Sequence, residues 1–205
     1  GDARASDAAF QKAAHIGRLD TWVPRITGVP MEPRAALGVY DEPTGRYTLF
    51  AGSGGVVRHK NDLAEILRVP DTSVRVVAQD VGGNFGTRNS FYPDLALVWW
   101  ETRRLAWPVK WTCTRREAFL TDYQARDLVS TMELALDAEG NFLALRGVNT
   151  SNVGAHAVTF VPLNKGRELS TSVYRVPTAA VRGRAVLSNT SPLGAYRSAG
   201  RPSRG

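Results

Sequence analysis

Gly82-Gly83-Asn84-Phe85-Gly86 stands between a strand-like run, Val74–Val81, and a helix whose first turn is marked by Pro93. Glycines in that setting let the backbone approach a ligand closely, and unpaired amides at a helix start favour an anion. Their spacing fits neither the dinucleotide fingerprint nor a P-loop, which needs a following Lys-Ser/Thr. Ala51-Gly52-Ser53-Gly54-Gly55 is one residue away from the G-x-S-x-G elbow of serine hydrolases. Ser53 would there be a nucleophile, with Asp122 or Asp127 and then His156 following in hydrolase order. Ala195-Tyr196-Arg197-Ser198-Ala199-Gly200-Arg201-Pro202 sets two arginines among small residues, a pattern suited to a bidentate grip on an anion or carbonyl oxygen. Each pattern also has a plain structural reading: a tight turn with Phe85 in the core, a Gly-Ser linker, and a solvated basic tail.

Other chemistries find less material. His15, His59 and His156 are too scattered for a metal site, and the lone Cys113 closes no intrachain disulfide and ligates no iron–sulfur cluster by itself. No metal ligands are therefore assigned. The chain of 205 residues carries a formal charge of +7, with 43% hydrophobic and 22% charged residues. The charge is uneven: between residues 141 and 205 the only acidic side chain is Glu168. A basic final third suits an anionic cofactor or an acidic partner. Its arginines are spaced singly with few aromatics between them, so nucleic acid is not expected. The longest apolar run, Leu95–Trp100, is far too short to span a bilayer, and nothing near the N-terminus reads as a signal peptide. A cytoplasmic location is the expectation.

The elements that must position these residues alternate in type. A short helix is expected over Ala5–Ala14, capped by Ser6 or Asp7, then a strand over Ile16–Thr27. Ala35–Tyr40 and Arg46–Ala51 form a hairpin around Asp41–Gly45, and Val56–Val69 a helix with Leu63, Ile66 and Leu67 at helical spacing. After the Val74–Val81 strand come a helix over Pro93–Leu105, a strand over Pro108–Thr112 and a helical turn or two over Arg115–Asp122. Leu128–Leu136 and Phe142–Val148 flank Asp137-Ala138-Glu139-Gly140, the clearest hairpin. Asn149–Ser172 reads as a long loop and Ala179–Leu187 as a last strand. The fold class is α+β, or mixed α/β.

Met31-Glu32-Pro33-Arg34, Val81–Gly86, Trp107-Pro108-Val109-Lys110-Trp111 leading to Thr114-Arg115-Arg116-Glu117, and Ala195-Tyr196-Arg197 occur in that order. The ordered set resembles the molybdopterin-binding large subunit of the molybdenum hydroxylases: xanthine dehydrogenases, aldehyde oxidases and aerobic carbon monoxide dehydrogenases. The resemblance covers about Asp7 to Pro202 and implies residues 1–15 as linker and short helix, and 16–205 as a partial, incomplete molybdopterin-binding domain. It implies a molybdenum–molybdopterin cofactor, with the cytosine dinucleotide form left open. It implies hydroxylation of an aldehyde, heterocycle or similar small molecule with water as oxygen source, and iron–sulfur and FAD-binding partner subunits. Gly82, Gly83, Asn84, Phe85, Gly86 and Ser198 would contact the cofactor, and Arg197 would border metal and substrate as the catalytic residue.

The register departs from the family at two places. Ser53 or Gly54 stands where many members carry a glutamine that hydrogen-bonds a metal oxo group. Ser198 replaces the cysteine of the copper–molybdenum enzymes, so a copper thiolate cannot form. The family's catalytic glutamate belongs to a later region, so the chain is expected to be a fragment, inactive alone. Arg182 and Arg184 are expected to be buried in the complete protein. A non-enzymatic assembly domain docking through the basic final third, and a Ser53 hydrolase, are the alternatives.

Overall fold

The computed structural model describes residues 1–168 and 170–199. Two units divide the chain: Gly1–Ile26 with Tyr123–Gly205, and Thr27–Asp122 between them.

The first unit is built on a four-stranded sheet in the order β1 (His15–Val23), β6 (Leu128–Leu136), β7 (Phe142–Gly154), β8 (Thr178–Leu187). β1, β6 and β7 run antiparallel, and β7 and β8 parallel. The β6–β7 turn is the expected hairpin, in which Asp137 Oδ1 accepts the N–H groups of Glu139 and Asn141 and Gly140 takes φ +86°. The preceding helix, α1 (Ala3–Phe10), starts earlier than expected. Asp2, not Ser6 or Asp7, is its cap, accepting from Ala5 N at 2.9 Å, while Ser6 turns inward and donates to the Asp2 carbonyl. Phe10 seats α1 against Ala135 and Ala144, with the Arg146 guanidinium 3.9 Å above its ring.

Two further expectations are corrected here. β1 stops at Val23 because Pro24 has no N–H to give, and Ile26 returns only as an isolated bridge to Ala125. Asn149–Ser172 is not a long loop. β7 continues to Gly154, with Asn149 and Ser151 buried and Ser130 donating to Asn149 Oδ1, and α5 (Val161–Glu168) follows. In this chain Arg182 and Arg184 lie exposed on β8.

The second unit holds a four-stranded sheet in the order β4 (Val74–Val77), β3 (Arg46–Ala51), β2 (Ala35–Asp41), β5 (Val109–Thr112). The β2–β3 hairpin is as expected, and β4 joins β3 in parallel. β4 ends at Val77 rather than Val81 because β3 ends at Ala51, which leaves Ala78–Val81 no ladder to join. α2 (Val56–Leu67) stops at Arg68 in left-handed conformation; Leu63 is buried, whereas Ile66 is half exposed. α3 (Pro93–Leu105) begins at the expected proline and buries Leu95, Val98, Trp99 and Thr102. α4 (Arg115–Thr121) opens with a capping box, Thr114 and Glu117 each accepting the other's backbone N–H. Sheets and helices in both units bear out the α+β, mixed α/β class.

Candidate cofactor-binding site

The glycine loop of the second unit does not open a helix directly. It leads into a single 3-10 turn, Thr87–Asn89, and α3 begins only at Pro93. Two of the loop's amides are already used. Gly82 N–H donates to Glu32 Oε2 at 2.7 Å, and Gly86 N–H donates to Asn84 Oδ1 at 3.0 Å. Gly83 lies at φ +114°, where a Cβ would press on the Phe85 ring and on Pro30, so glycine is required there. Phe85 itself is partly exposed, not in the core. Gly83 and Asn84 are half-buried, and their backbone N–H groups meet no acceptor among the described residues.

The Gly52–Gly55 segment is brought against this loop. Gly54 N–H donates to the Arg88 carbonyl at 3.0 Å, and a Cβ on Gly54 would overlap Asn89 Oδ1 and Asn84 Nδ2. Asn84 and Asn89 are themselves joined, Asn84 Nδ2 donating to Asn89 Oδ1 at 3.1 Å. Beside these loops, a cleft of about 220 Å³ opens on the sheet, bounded by Glu32, Gly52, Phe50, Val77, Asp80 and Lys110.

A buried ionic cluster holds the segment that carries Glu32. Arg34 donates to Asp94 at 3.0 Å, to Asp122 and to Thr121 Oγ1 at 2.9 Å, with its guanidinium 4.3 Å from the centre of the Tyr92 ring. Burial opposes the Arg34 charge, but the Asp94 and Asp122 carboxylates outweigh it and leave its pKa above the ordinary value. Arg88 donates to the Glu32 carbonyl at 2.6 Å and lies 3.7 Å from Asp122. His59, 1% exposed, sits beneath with its ring edge-on to Phe91; burial pushes its pKa down, so it is neutral. Burial likewise raises the Cys113 thiol, which stays protonated.

Arg197 and Ser198 belong to the first unit, in an exposed turn where Ser198 and Ala199 both have positive φ. Arg126 holds that turn, donating to the Arg197 carbonyl at 3.3 Å with its guanidinium 5.7 Å from the Tyr196 ring centre. Gly200, Arg201 and Pro202 lie outside the described residues. A cleft of about 470 Å³ in this unit is lined by Arg18, Glu133, Arg146 and Arg182 and by none of the expected site residues. Arg146 and Arg18 spend their charges there on Glu133, Asp7 and Asp20.

The hydrolase reading loses its carboxylates. Asp122 is bound by Arg34, and Asp127 accepts from Arg25 and Asn152. Ser53 Oγ is occupied as a turn acceptor for Gly55 N–H.

Among the described residues, no group of three His, Cys, Asp or Glu side chains could hold a metal. The loop instead offers N–H groups, which suit a metal that arrives with its own ligands and presents oxygen to the protein. Asn89, absent from the sequence-derived site, is the residue this geometry adds; a single Asn after a 3-10 turn carries no pattern of its own.

Residues 1–204 match the family described as the molybdopterin cofactor-binding domain. The chain is 36% identical over 200 residues to the 6-hydroxypseudooxynicotine dehydrogenase complex subunit gamma of Paenarthrobacter nicotinovorans, covering 95% of this chain and 25% of that protein. It is 29% identical to the carbon monoxide dehydrogenase large chain of Hydrogenophaga pseudoflava, over 96% of this chain and 25% of that one. Quinoline 2-oxidoreductase from Pseudomonas putida 86 superposes with a TM-score of 0.89 at 30% identity, over 94% of this chain and 25% of its own. The chain thus spans about a quarter of the length of these relatives. It belongs to the molybdopterin cofactor-binding domain family, in the line of the large subunits of the xanthine, aldehyde and carbon monoxide dehydrogenases.

Proposed function

We propose that this chain forms part of the large subunit of a molybdenum hydroxylase and holds a molybdenum–molybdopterin cofactor through Gly82–Gly86; for Arg197 we propose a catalytic role and for Ser198 a contact to the cofactor. The observation that carries this reading is the pair of unspent backbone donors, Gly83 and Asn84, on a loop anchored by Glu32. When bound, the cofactor supplies the two-electron redox chemistry by which an oxygen from water replaces a hydrogen on carbon, releasing two electrons and two protons. The chain's own residues bind and orient. Gly83 and Asn84 N–H groups meet oxygen acceptors, and Glu32 keeps the loop from closing on itself. The Arg197 guanidinium stabilises negative charge that develops on substrate oxygen, and the Ser198 hydroxyl contacts the cofactor.

The substrate class is a nitrogen heterocycle or an aldehyde, the first favoured by the nicotine-derived and quinoline substrates named for two relatives. The electrons pass to iron–sulfur and FAD-binding subunits, and the complex works in the cytoplasm. The chain by itself holds the cofactor without turning substrate over. No helix among the described residues is long and apolar enough to cross a membrane. The test is turnover of quinoline by the complex containing this chain, in heavy-oxygen water under argon with an artificial electron acceptor. A hydroxylated product carrying the heavy label is expected. An unlabelled product, or no turnover of either an aldehyde or a heterocycle by the cofactor-loaded complex, overturns the reading.

A further inference from the structure

The orientation of two side-chain amides is settled by what surrounds them. Gly86 N–H can only donate, so the end of Asn84 that meets it at 3.0 Å is the carbonyl oxygen. The other end of Asn84 is therefore its NH₂, which faces Asn89 at 3.1 Å. Asn89 must answer with its own oxygen, and its NH₂ points away from the pair. That NH₂ finds no acceptor among the described residues, and neither do the second Nδ2 hydrogen of Asn84 and the backbone N–H groups of Gly83 and Asn84.

The result is a set of neutral donors with no matching acceptor among the described residues, of which the two side-chain amides lie next to Gly54. The backbone of Asn89 is fixed as well, its N–H donating to the Gly86 carbonyl at 3.2 Å. Any side chain at 54 would have to enter the volume that the Asn84–Asn89 pair already fills. Position 54 therefore supplies no polar group of its own, and the asparagine pair occupies its place.

We propose that Asn89 is a cofactor-binding residue, its Nδ2 group donating to an oxygen carried by the molybdenum–pterin group, and that Asn84 and the bare backbone at Gly54 hold it in that orientation. This rests on the functional reading above. The carboxamide is uncharged, so it discriminates by donor geometry rather than by attraction to any anion.

One substitution is Asn89→Asp, which keeps the oxygen that receives Asn84 Nδ2 and replaces the donating end by a charged acceptor. Asn89→Ala, which removes the donor without adding charge, is measured beside it and is expected to lower retention as well. Gly54→Ala tests the same contact from the other side, because its methyl group displaces the Asn89 side chain without removing it. The chain and its variants are produced in a host that makes the molybdenum cofactor, and pterin retained per chain is measured by fluorescence after oxidation. Thermal unfolding is followed in parallel. N89D is expected to lower retained pterin by about tenfold or more, the size of a lost hydrogen bond to a charged group, with its unfolding temperature unchanged. G54A is expected to lower retention alone but to add little in an N89A background, because the displaced group is then already gone. Equal retention by N89D and the parent chain overturns the proposal and leaves the functional reading standing. No pterin on the parent chain overturns both.

Discussion

Glu32 Oε2 accepts the N–H of Gly82 at 2.7 Å, and Glu32 N–H donates back to the Gly82 carbonyl at 3.1 Å. Fifty positions of sequence separate the partners, so this reciprocal pair ties the entry to the β2 strand onto the glycine loop. The next two residues, Gly83 and Asn84, keep backbone N–H groups that meet no acceptor among the described residues.

Breaking the pair should loosen the loop without unfolding the unit. Glu32→Ala is expected to cost about 1.5–3 kcal/mol, the range for a hydrogen bond to a charged acceptor. Amide exchange at Gly82 should speed up accordingly, as read by hydrogen–deuterium exchange. Gly82→Ala should do more damage, because its Cβ would stand 3.2 Å from Glu32 N and 3.4 Å from Glu32 Cα, backbone atoms that cannot turn aside.

Arg34 carries a larger share of stability. Its removal leaves Asp94 and Asp122 without their nearest cation, Asp122 being 1% exposed. Arg34→Met is expected to destabilise by about 3–5 kcal/mol, the cost of stranding a buried charge. Arg34→Lys should recover only part of this, since an ammonium cannot serve Asp94, Asp122 and Thr121 in one plane. Urea denaturation of the three proteins measures the order.

His59 predicts a pH dependence with a definite sign. Burial lowers its folded-state pKa from the ordinary 6.5, Asp62 opposing and Arg58 assisting. Between that ordinary value and the lower folded one, the unfolded chain binds the extra proton. Its contribution is thus fully present above about pH 6.5 and is lost as pH falls toward the folded-state value. His59→Phe should flatten that part of the profile. The check is the difference in unfolding free energy between the parent and variant, compared at about pH 7.5 and 5.5; a constant difference contradicts the assignment.

Ser53 is expected to be chemically quiet. With Asp122 and Asp127 both engaged by arginines, neither candidate carboxylate is free to orient a histidine for it. A fluorophosphonate probe should leave Ser53 unlabelled, as read by peptide mass spectrometry.

Much of the fold was legible because local chemistry and tertiary pairing agree. Asp137–Gly140 folds its own turn, Pro93 starts its own helix, and both appear where expected. Legibility failed where pairing overrides composition. Asn149 and Ser151 look like loop residues, yet β6 and β8 supply ladders on both sides and bury them. The reverse holds for Val81, apolar but beyond the end of its partner strand. In the site, the glycine run was legible as a tight turn, since Gly83 and Gly86 take positive φ, while its link to a cofactor came from the resemblance and not from the spacing. Asn89 was not, because its role depends on the orientation of Asn84, which only three-dimensional contacts determine.

The central claim is that this chain binds a molybdenum–pterin group. The most direct measurement is molybdenum and oxidised pterin per chain, by metal analysis and fluorescence, on protein purified from a cofactor-producing host and shown folded by circular dichroism. The account predicts both in equal amounts, with retention falling together for Gly83→Ala, which strains the loop that carries the donors. A folded chain with neither molybdenum nor pterin contradicts it.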